Sequence, residues 1–181
     1  MEKNFIIAGF GGQGVLLAGE VLANAFMLND KAVTWYPSYG AEMRGGTVNC
    51  EIVVSDDEVS AVNKPHLDYL IALNQLSFEK FLPKLKKGAT VIANSTLIKE
   101  NRPIEGINYI FAPISEMASN LGNIKMANIL SLGLLARQLG FKNLKLLENA
   151  LETVLPPHRK NLLPMNYNAL KLGYEYDLLR V

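Results

Sequence analysis

Apolar and polar positions along the chain switch between two periods, and the switching predicts the elements. Phe5-Ile6-Ile7-Ala8 is a continuous apolar run that stops at Gly9, the pattern of a short strand buried on both faces. From residue 15 the period changes. Apolar residues at 15, 16, 18, 22, 25 and 26, interrupted by Glu20 and Asn24, give an amphipathic helix over 15–28 that Asn29-Asp30 ends. A second strand is expected over 32–38, a third over 47–55, where apolar and polar residues alternate, and a fourth over 69–73. Residues 77–85 read as a short helix closed by Gly88, with Lys84, Lys86 and Lys87 at the negative end of its dipole. Strands over 89–94 and 109–112 follow, separated by a polar loop over 98–106. The last third reads as helices over 114–121, 126–139, 144–155 and 161–179, divided by Gly122, Gly140 and Pro156-Pro157.

Strands that alternate with helices imply an α/β fold: a doubly wound, mainly parallel sheet flanked by helices, with a helical C-terminal third. The chain has 181 residues and shows no repeat, low-complexity tract or linker, so a single domain over 1–181 is expected. Ligands of such sheets bind outside the carboxyl ends of the strands. Two loops, Gly9–Gly14 and Ser38–Gly46, follow strands and should open on that edge.

Gly9, Gly11 and Gly14 fit the spacing G-x-G-x-x-G between a strand and a helix. Glycine there permits positive φ and lets backbone N–H groups approach an anion in front of the positive end of the helix dipole. The same glycines would also serve a tight, ligand-free crossover. A dinucleotide site further needs an acid at the end of the second strand to hold ribose hydroxyls. That strand ends in Tyr36-Pro37-Ser38, and Asp30 precedes it, at the wrong edge of the sheet. The missing acid counts against a nicotinamide cofactor.

Composition narrows the classes further. The chain is 49% hydrophobic and 19% charged, which leaves apolar surface for a partner interface. A net charge of +1 disfavours general nucleic-acid binding. One cysteine, Cys50, cannot form an internal disulfide or hold an iron–sulfur cluster, which takes four ligands. No signal-type opening and no run of the ~18 apolar residues a membrane span needs is present, and a cytoplasmic protein is expected. Asp56, Asp57 and Glu58 read as solvated turn acids rather than metal ligands. His66 and His158 are isolated from any ligand-type spacing.

Three stretches taken together, Gly9-Phe10-Gly11-Gly12-Gln13-Gly14-Val15, Pro37-Ser38-Tyr39-Gly40-Ala41-Glu42-Met43-Arg44-Gly45-Gly46 and Asp68-Tyr69-Leu70-Ile71-Ala72-Leu73-Asn74, resemble the gamma subunit of 2-oxoacid:ferredoxin (acceptor) oxidoreductases. Lys125-Met126-Ala127-Asn128-Ile129 extends the resemblance, which covers almost the whole chain; the second loop is more specific than the first. The resemblance implies a non-autonomous subunit of an enzyme that decarboxylates a 2-oxoacid, passes two electrons through iron–sulfur clusters to ferredoxin and makes an acyl-CoA. Thiamine diphosphate, magnesium and the clusters would lie on alpha, beta and delta-type partner subunits, with ferredoxin an indirect partner. This chain would contribute to binding coenzyme A, the co-substrate, and to assembly. The reading leans to 2-oxoglutarate over pyruvate and branched-chain acids.

The candidate ligand contacts are the backbone N–H groups of Gly11, Gly12, Gln13 and Gly14, aimed at a phosphate or the pantetheine arm, with the Gln13 amide as donor and acceptor. Arg44, followed by Gly45 and Gly46, is the cation of the second loop and can fork onto a phosphate or a partner's carboxylate; pairing with Glu42 would instead make both structural. Tyr39 is either a platform for an adenine or a cap on the sheet. No catalytic residue and no metal ligand is assigned. Two alternatives stand beside this reading, a stand-alone NAD(P)-binding oxidoreductase and a structural subunit with no ligand.

Overall fold

The computed structural model describes residues 2–39, 47–59, 66–99 and 103–176. The chain runs β1 (Glu2–Phe10), α1 (Val15–Met27), β2 (Ala32–Tyr39), β3 (Thr47–Ser55), β4 (Leu67–Ala72), α2 (Gln75–Phe81), β5 (Leu85–Asn94) and β6 (Asn108–Ala112). Four helices follow: α3 (Ile114–Asn120), α4 (Ala127–Gln138), α5 (Lys145–Val154) and α6 (Leu163–Tyr174). The strands form one six-stranded sheet in the order β2-β3-β1-β4-β5-β6. β1, β4, β5 and β6 pair in parallel, whereas β3 runs antiparallel to both β1 and β2. The sheet is therefore mixed, and β3 alone opposes the common direction. Its reversal follows from the sequence, because only seven residues separate β2 from β3, fewer than the dozen or more that a parallel crossover needs.

Alternation along β1 feeds two apolar layers. Phe5 and Ile7 face a large core with α1 and the C-terminal helices, while Ile6 and Ala8 face a smaller one built with Phe78, Phe81 and Leu82. Each such side chain is almost completely buried, which stabilises the fold by roughly 1.5–3 kcal/mol per large aliphatic or aromatic group. Helices thus cover both faces, but unequally: α2 packs on β1 and β4 from one side, and α1 on β1, β2 and β3 from the other.

Two expected boundaries move. The helix read over 77–85 ends at Phe81 and gives way to a 3-10 turn, Leu82–Lys84, with Pro83 inside it. Lys86 and Lys87 then belong to β5 rather than to a helix end, and Lys86 pairs with Asp68 of β4. Gly88 is a bend within β5, at φ 84°, whose N–H donates to the Gly106 carbonyl at 2.7 Å. In the last third, α6 starts at Leu163 after a 3-10 turn over Pro157–Leu162; the expected helix end over 177–179 lies outside the described residues.

Cys50 of β3 is fully buried under α1, its thiol donating to the Val15 carbonyl at 3.6 Å. Burial pushes its pKa up to about 12, so the nucleophilic thiolate is scarce at neutral pH. A thiol reagent is expected to leave the folded chain unmodified over hours and to titrate one thiol in denaturant. Rapid native labelling would show that α1 opens away from β3.

Candidate functional site

The strand order places the site. From β1 the chain crosses to β2 on one side and later fills β4, β5 and β6 on the other, so the order reverses at β1. A crevice opens at the carboxyl end of such a reversal point. It is there that Phe10 ends β1, residues 11–14 turn, and α1 begins at Val15.

Glycine is required in the turn at one of the three positions the spacing suggested, Gly14, and at Gly12, which the spacing did not mark. Gly9 and Gly11 have ordinary backbone angles, and Gly9 lies within β1, opposite Val48. Positive φ occurs at Gly12 (96°) and Gly14 (72°), the latter being the N-cap of α1. A methyl group at Gly12 would meet no atom within 4 Å, so this residue shows an open backbone face to solvent. One at Gly14 would strike the Asn128 amide. Among the described residues, the N–H groups of Gly11, Gly12 and Gly14 have no protein acceptor. Together with the orphan donors of the first turn of α1, they form a concave set of partial positive charges.

Gln13 plays a different part from its neighbours. Its backbone N–H donates to the Phe10 carbonyl at 3.1 Å. Its side-chain Oε1 accepts from the Phe10 N–H at 2.6 Å and from Asn74 Nδ2 at 3.1 Å, while Nε2 donates to the Leu73 carbonyl at 3.4 Å. The amide therefore ties the turn to the carboxyl end of β4. Leu73 O also accepts from Asn94 Nδ2 at 3.2 Å, and Asn94 closes a reciprocal pair with Ser115: Nδ2 donates to Oγ at 2.8 Å and the Ser115 N–H donates to Oδ1 at 3.1 Å. From the other side, Asn128 Nδ2 of α4 donates to the Gly14 carbonyl at 3.0 Å. Asn74, Asn94 and Asn128 are all buried, and buried amides so fully engaged fix a backbone in one conformation.

These asparagines went unassigned in the sequence. A signal was nonetheless present, since Asn74 and Asn94 each directly follow a buried apolar run, a place where an uncompensated amide would be costly. Asn128 had no local signal, because its partner lies 114 positions away.

Two cavities adjoin the turn. The larger, about 470 Å³, is mostly apolar and is walled by Phe10, Gly11, Gly12, Val15, Leu16 and Val48. The smaller, about 240 Å³, shares Gly12, Gly14 and Leu17 with it and is closed by residues of α4 and of the turns that precede α4 and α6, including Lys125 and Arg159. Neither cation was given a role from the sequence, although Lys125 opens one of the stretches that carry the family resemblance. Of the second loop, Tyr39 is the last residue of β2, at the same carboxyl edge as the glycine turn; Glu42, Arg44, Gly45 and Gly46 lie outside the described residues. The acids after β3 are exposed, and Asp56 pairs with Lys31 at 2.7 Å, which with other contacts holds its carboxyl down at about 2. Among the described residues no three His, Cys, Asp or Glu side chains gather as metal ligands, and no helix is long and apolar enough to cross a membrane.

The family profile of pyruvate ferredoxin/flavodoxin oxidoreductases matches residues 4–176. The chain is 35% identical over 174 residues to the 2-oxoglutarate synthase subunit KorC of Archaeoglobus fulgidus, covering 96% of this chain and 87% of that protein. Its fold superposes on the gamma subunit of a keto/oxoacid ferredoxin oxidoreductase from Geobacter sulfurreducens with a TM-score of 0.81, 27% identity and 96% of both chains covered. It also superposes, at a TM-score of 0.85 and 20% identity, on 30% of a chain of the 2-oxoglutarate:ferredoxin oxidoreductase of Magnetococcus marinus, a structure with 2-oxoglutarate, coenzyme A and succinyl-CoA bound. That overlap spans 96% of the present chain and establishes a shared fold.

Proposed function

This chain belongs to the pyruvate ferredoxin/flavodoxin oxidoreductase family, and we propose that it serves there as one gamma-type domain in a multi-subunit 2-oxoacid:ferredoxin oxidoreductase of the cytoplasm, with 2-oxoglutarate as the 2-oxoacid. The likeness to a 2-oxoglutarate synthase subunit along 96% of the chain carries this reading. The overall reaction consumes a 2-oxoacid, coenzyme A and oxidised ferredoxin and yields an acyl-CoA, carbon dioxide and reduced ferredoxin. Thiamine diphosphate, magnesium and iron–sulfur clusters supply the decarboxylation and electron transfer from the alpha, beta and delta-type subunits. The present chain's part is to bind coenzyme A and to hold the assembly together.

Coenzyme A suits the turn for physical reasons. Unpartnered N–H donors at Gly11, Gly12 and Gly14 favour an anionic group, and Gly12 leaves space for it to come close. The adjoining apolar cleft can take a long arm such as pantetheine. Gln13 contributes by holding the turn rather than by offering a free amide. Tyr39, Arg44, Gly45 and Gly46 complete the site from the neighbouring loop. Met27, Leu28, Tyr36, Leu76, Leu97, Ile104 and Ile124 are exposed apolar side chains available to partner subunits.

The test is made in the assembled complex, with the isolated chain as control. The chain alone should reduce no ferredoxin. In the complex, Arg44→Ala should raise the KM for coenzyme A roughly ten- to a hundredfold, as loss of a charge-assisted contact predicts, with subunit co-elution intact. Lost co-elution would make Arg44 an interface residue, and an unchanged KM would remove it from the site. A chain that bound NAD(P) and acted alone would overturn the proposal outright.

A further inference from the structure

We propose that the smaller cavity beside the glycine turn is a phosphate-binding subsite, in which Lys125 and Arg159 hold a phosphate group against the backbone of Gly12 and Gly14. Lys125 comes from the 3-10 turn before α4 and Arg159 from the 3-10 turn before α6, so only the tertiary fold brings them to one cavity. No acid lines that cavity. Among the described residues, neither side chain has an ion-pair or hydrogen-bond partner, whereas Lys31, Lys86, Lys145 and Lys171 each meet a carboxylate. Two cations facing one concavity without a counter-charge repel each other. A dianion removes that repulsion and gains charge-assisted contacts from both.

The remaining wall has matching chemistry. Asn166 is 2% exposed; its Nδ2 donates to the Leu162 carbonyl at 2.7 Å, which leaves Oδ1 without a protein partner among the described residues. That oxygen can accept from a hydroxyl or amide N–H of the atoms next to the phosphate. The volume of about 240 Å³ equals the share of about eight liquid waters at ~30 Å³ each. It admits a phosphate or diphosphate and not a whole nucleotide. Because Gly12 and Gly14 border both cavities, a ligand anchored here continues across the turn into the apolar cleft. The ligand class is accordingly a phosphate ester with a long, largely uncharged arm. Naming its carrier as coenzyme A rests on the function proposed above; the phosphate site itself does not.

The probe is inorganic pyrophosphate, titrated calorimetrically into the full-length chain as wild type, Lys125→Gln, Arg159→Gln and Lys142→Gln. The last removes an equal charge from an exposed position outside the cavity, and thermal melts confirm that every variant is folded. We expect saturable binding by wild type and Lys142→Gln, weakened tenfold or more in each of the two cavity variants. No binding by wild type, or equal affinity in all four proteins, would overturn the subsite. The KM for coenzyme A in the assembled complex separates the two readings. Cavity variants that lose pyrophosphate but keep that KM uphold the subsite and count against coenzyme A as its carrier. Variants that raise the KM while binding pyrophosphate normally overturn the phosphate subsite and make Lys125 and Arg159 contacts to another part of coenzyme A.

Discussion

Replacing Gly133 with alanine is expected to destabilise the chain by about 3 kcal/mol, the upper part of the overpacking range, and to lower its melting temperature by roughly 6–12 °C for a domain of this size. The sign is what makes this informative. At an exposed site in a helix interior the same change stabilises, by up to about 1 kcal/mol, because alanine loses less backbone freedom on folding. Here α4 crosses α6 at two facing glycines. A methyl group on Gly133 would overlap the Leu170 carbonyl and lie 2.8 Å from the Tyr174 N–H, and one on Gly173 would overlap the Leu130 carbonyl. The obstacles are backbone atoms inside hydrogen-bonded helices, so no rotamer change relieves them. The helices must separate, and the buried contacts of Leu130, Leu134, Ala169 and Leu170 loosen with them. Circular dichroism melts decide the matter: an unchanged or raised midpoint would mean that the crossing is looser than the structure shows.

This close crossing was not legible in the sequence, where nothing near Gly133 or Gly173 marks either as facing a second helix. What the sequence does reveal is whatever depends on near neighbours. The apolar run Phe5-Ile6-Ile7-Ala8 and the alternation over Thr47–Ser55 marked β1 and β3 because pleat and period are local. The same holds for the turn after Phe10, where strand, glycine and helix signals are contiguous. Errors arose where a local signal had two physical meanings. Gly88 ends a helix in one reading and bends a strand in the other, and the pairing of Lys86 with Asp68, a contact between strands, accompanies the second. Fingerprint spacing likewise picked the right turn and, of its three glycines, only Gly14 with the left-handed angle it implied. Gly9 is crowded by Gln13 and Leu73 rather than twisted, and the second left-handed angle falls at Gly12, outside the spacing.

The candidate site divides along the same line. Its backbone donors were legible, being set by the turn itself. Its supports were not: Asn74, Asn94 and Asn128 act across separations of 61, 21 and 114 residues. Lys125 and Arg159 belong to the same class, since nothing in either local sequence marks them as sharing a cavity. Anion sites assembled in this way put rigidity and charge on different elements. The turn supplies oriented dipoles; the carboxyl ends of β4 and β5 and the helix α4 supply the amides that fix it, and the 3-10 turns before α4 and α6 supply the cations of the proposed subsite.

Gly14→Val tests that division most directly, and we expect it to lower stability and ligand binding together. Two terms add. A β-branched residue at φ 72° sits in a region that costs an L-residue roughly 1–2 kcal/mol or more. Its Cβ would also lie 2.9 Å from Asn128 Cγ and collide with Nδ2. Asn128 must then give up its bond to the Gly14 carbonyl, leaving a buried amide short of a partner at a further ~1–3 kcal/mol. The sum, about 2–5 kcal/mol, corresponds to a fall of roughly 4–20 °C in melting temperature. Gly12→Ala is the necessary contrast. Its φ of 96° also strains an L-residue, but its Cβ points into open space and touches no support. It should therefore weaken coenzyme A binding in the assembled complex while lowering stability far less than Gly14→Val does. Melts of both variants beside the KM for coenzyme A give the answer. If Gly14→Val melts like wild type, the Asn128 clamp does not hold the turn. If Gly12→Ala leaves that KM unchanged, the open face of Gly12 is not where the ligand approaches.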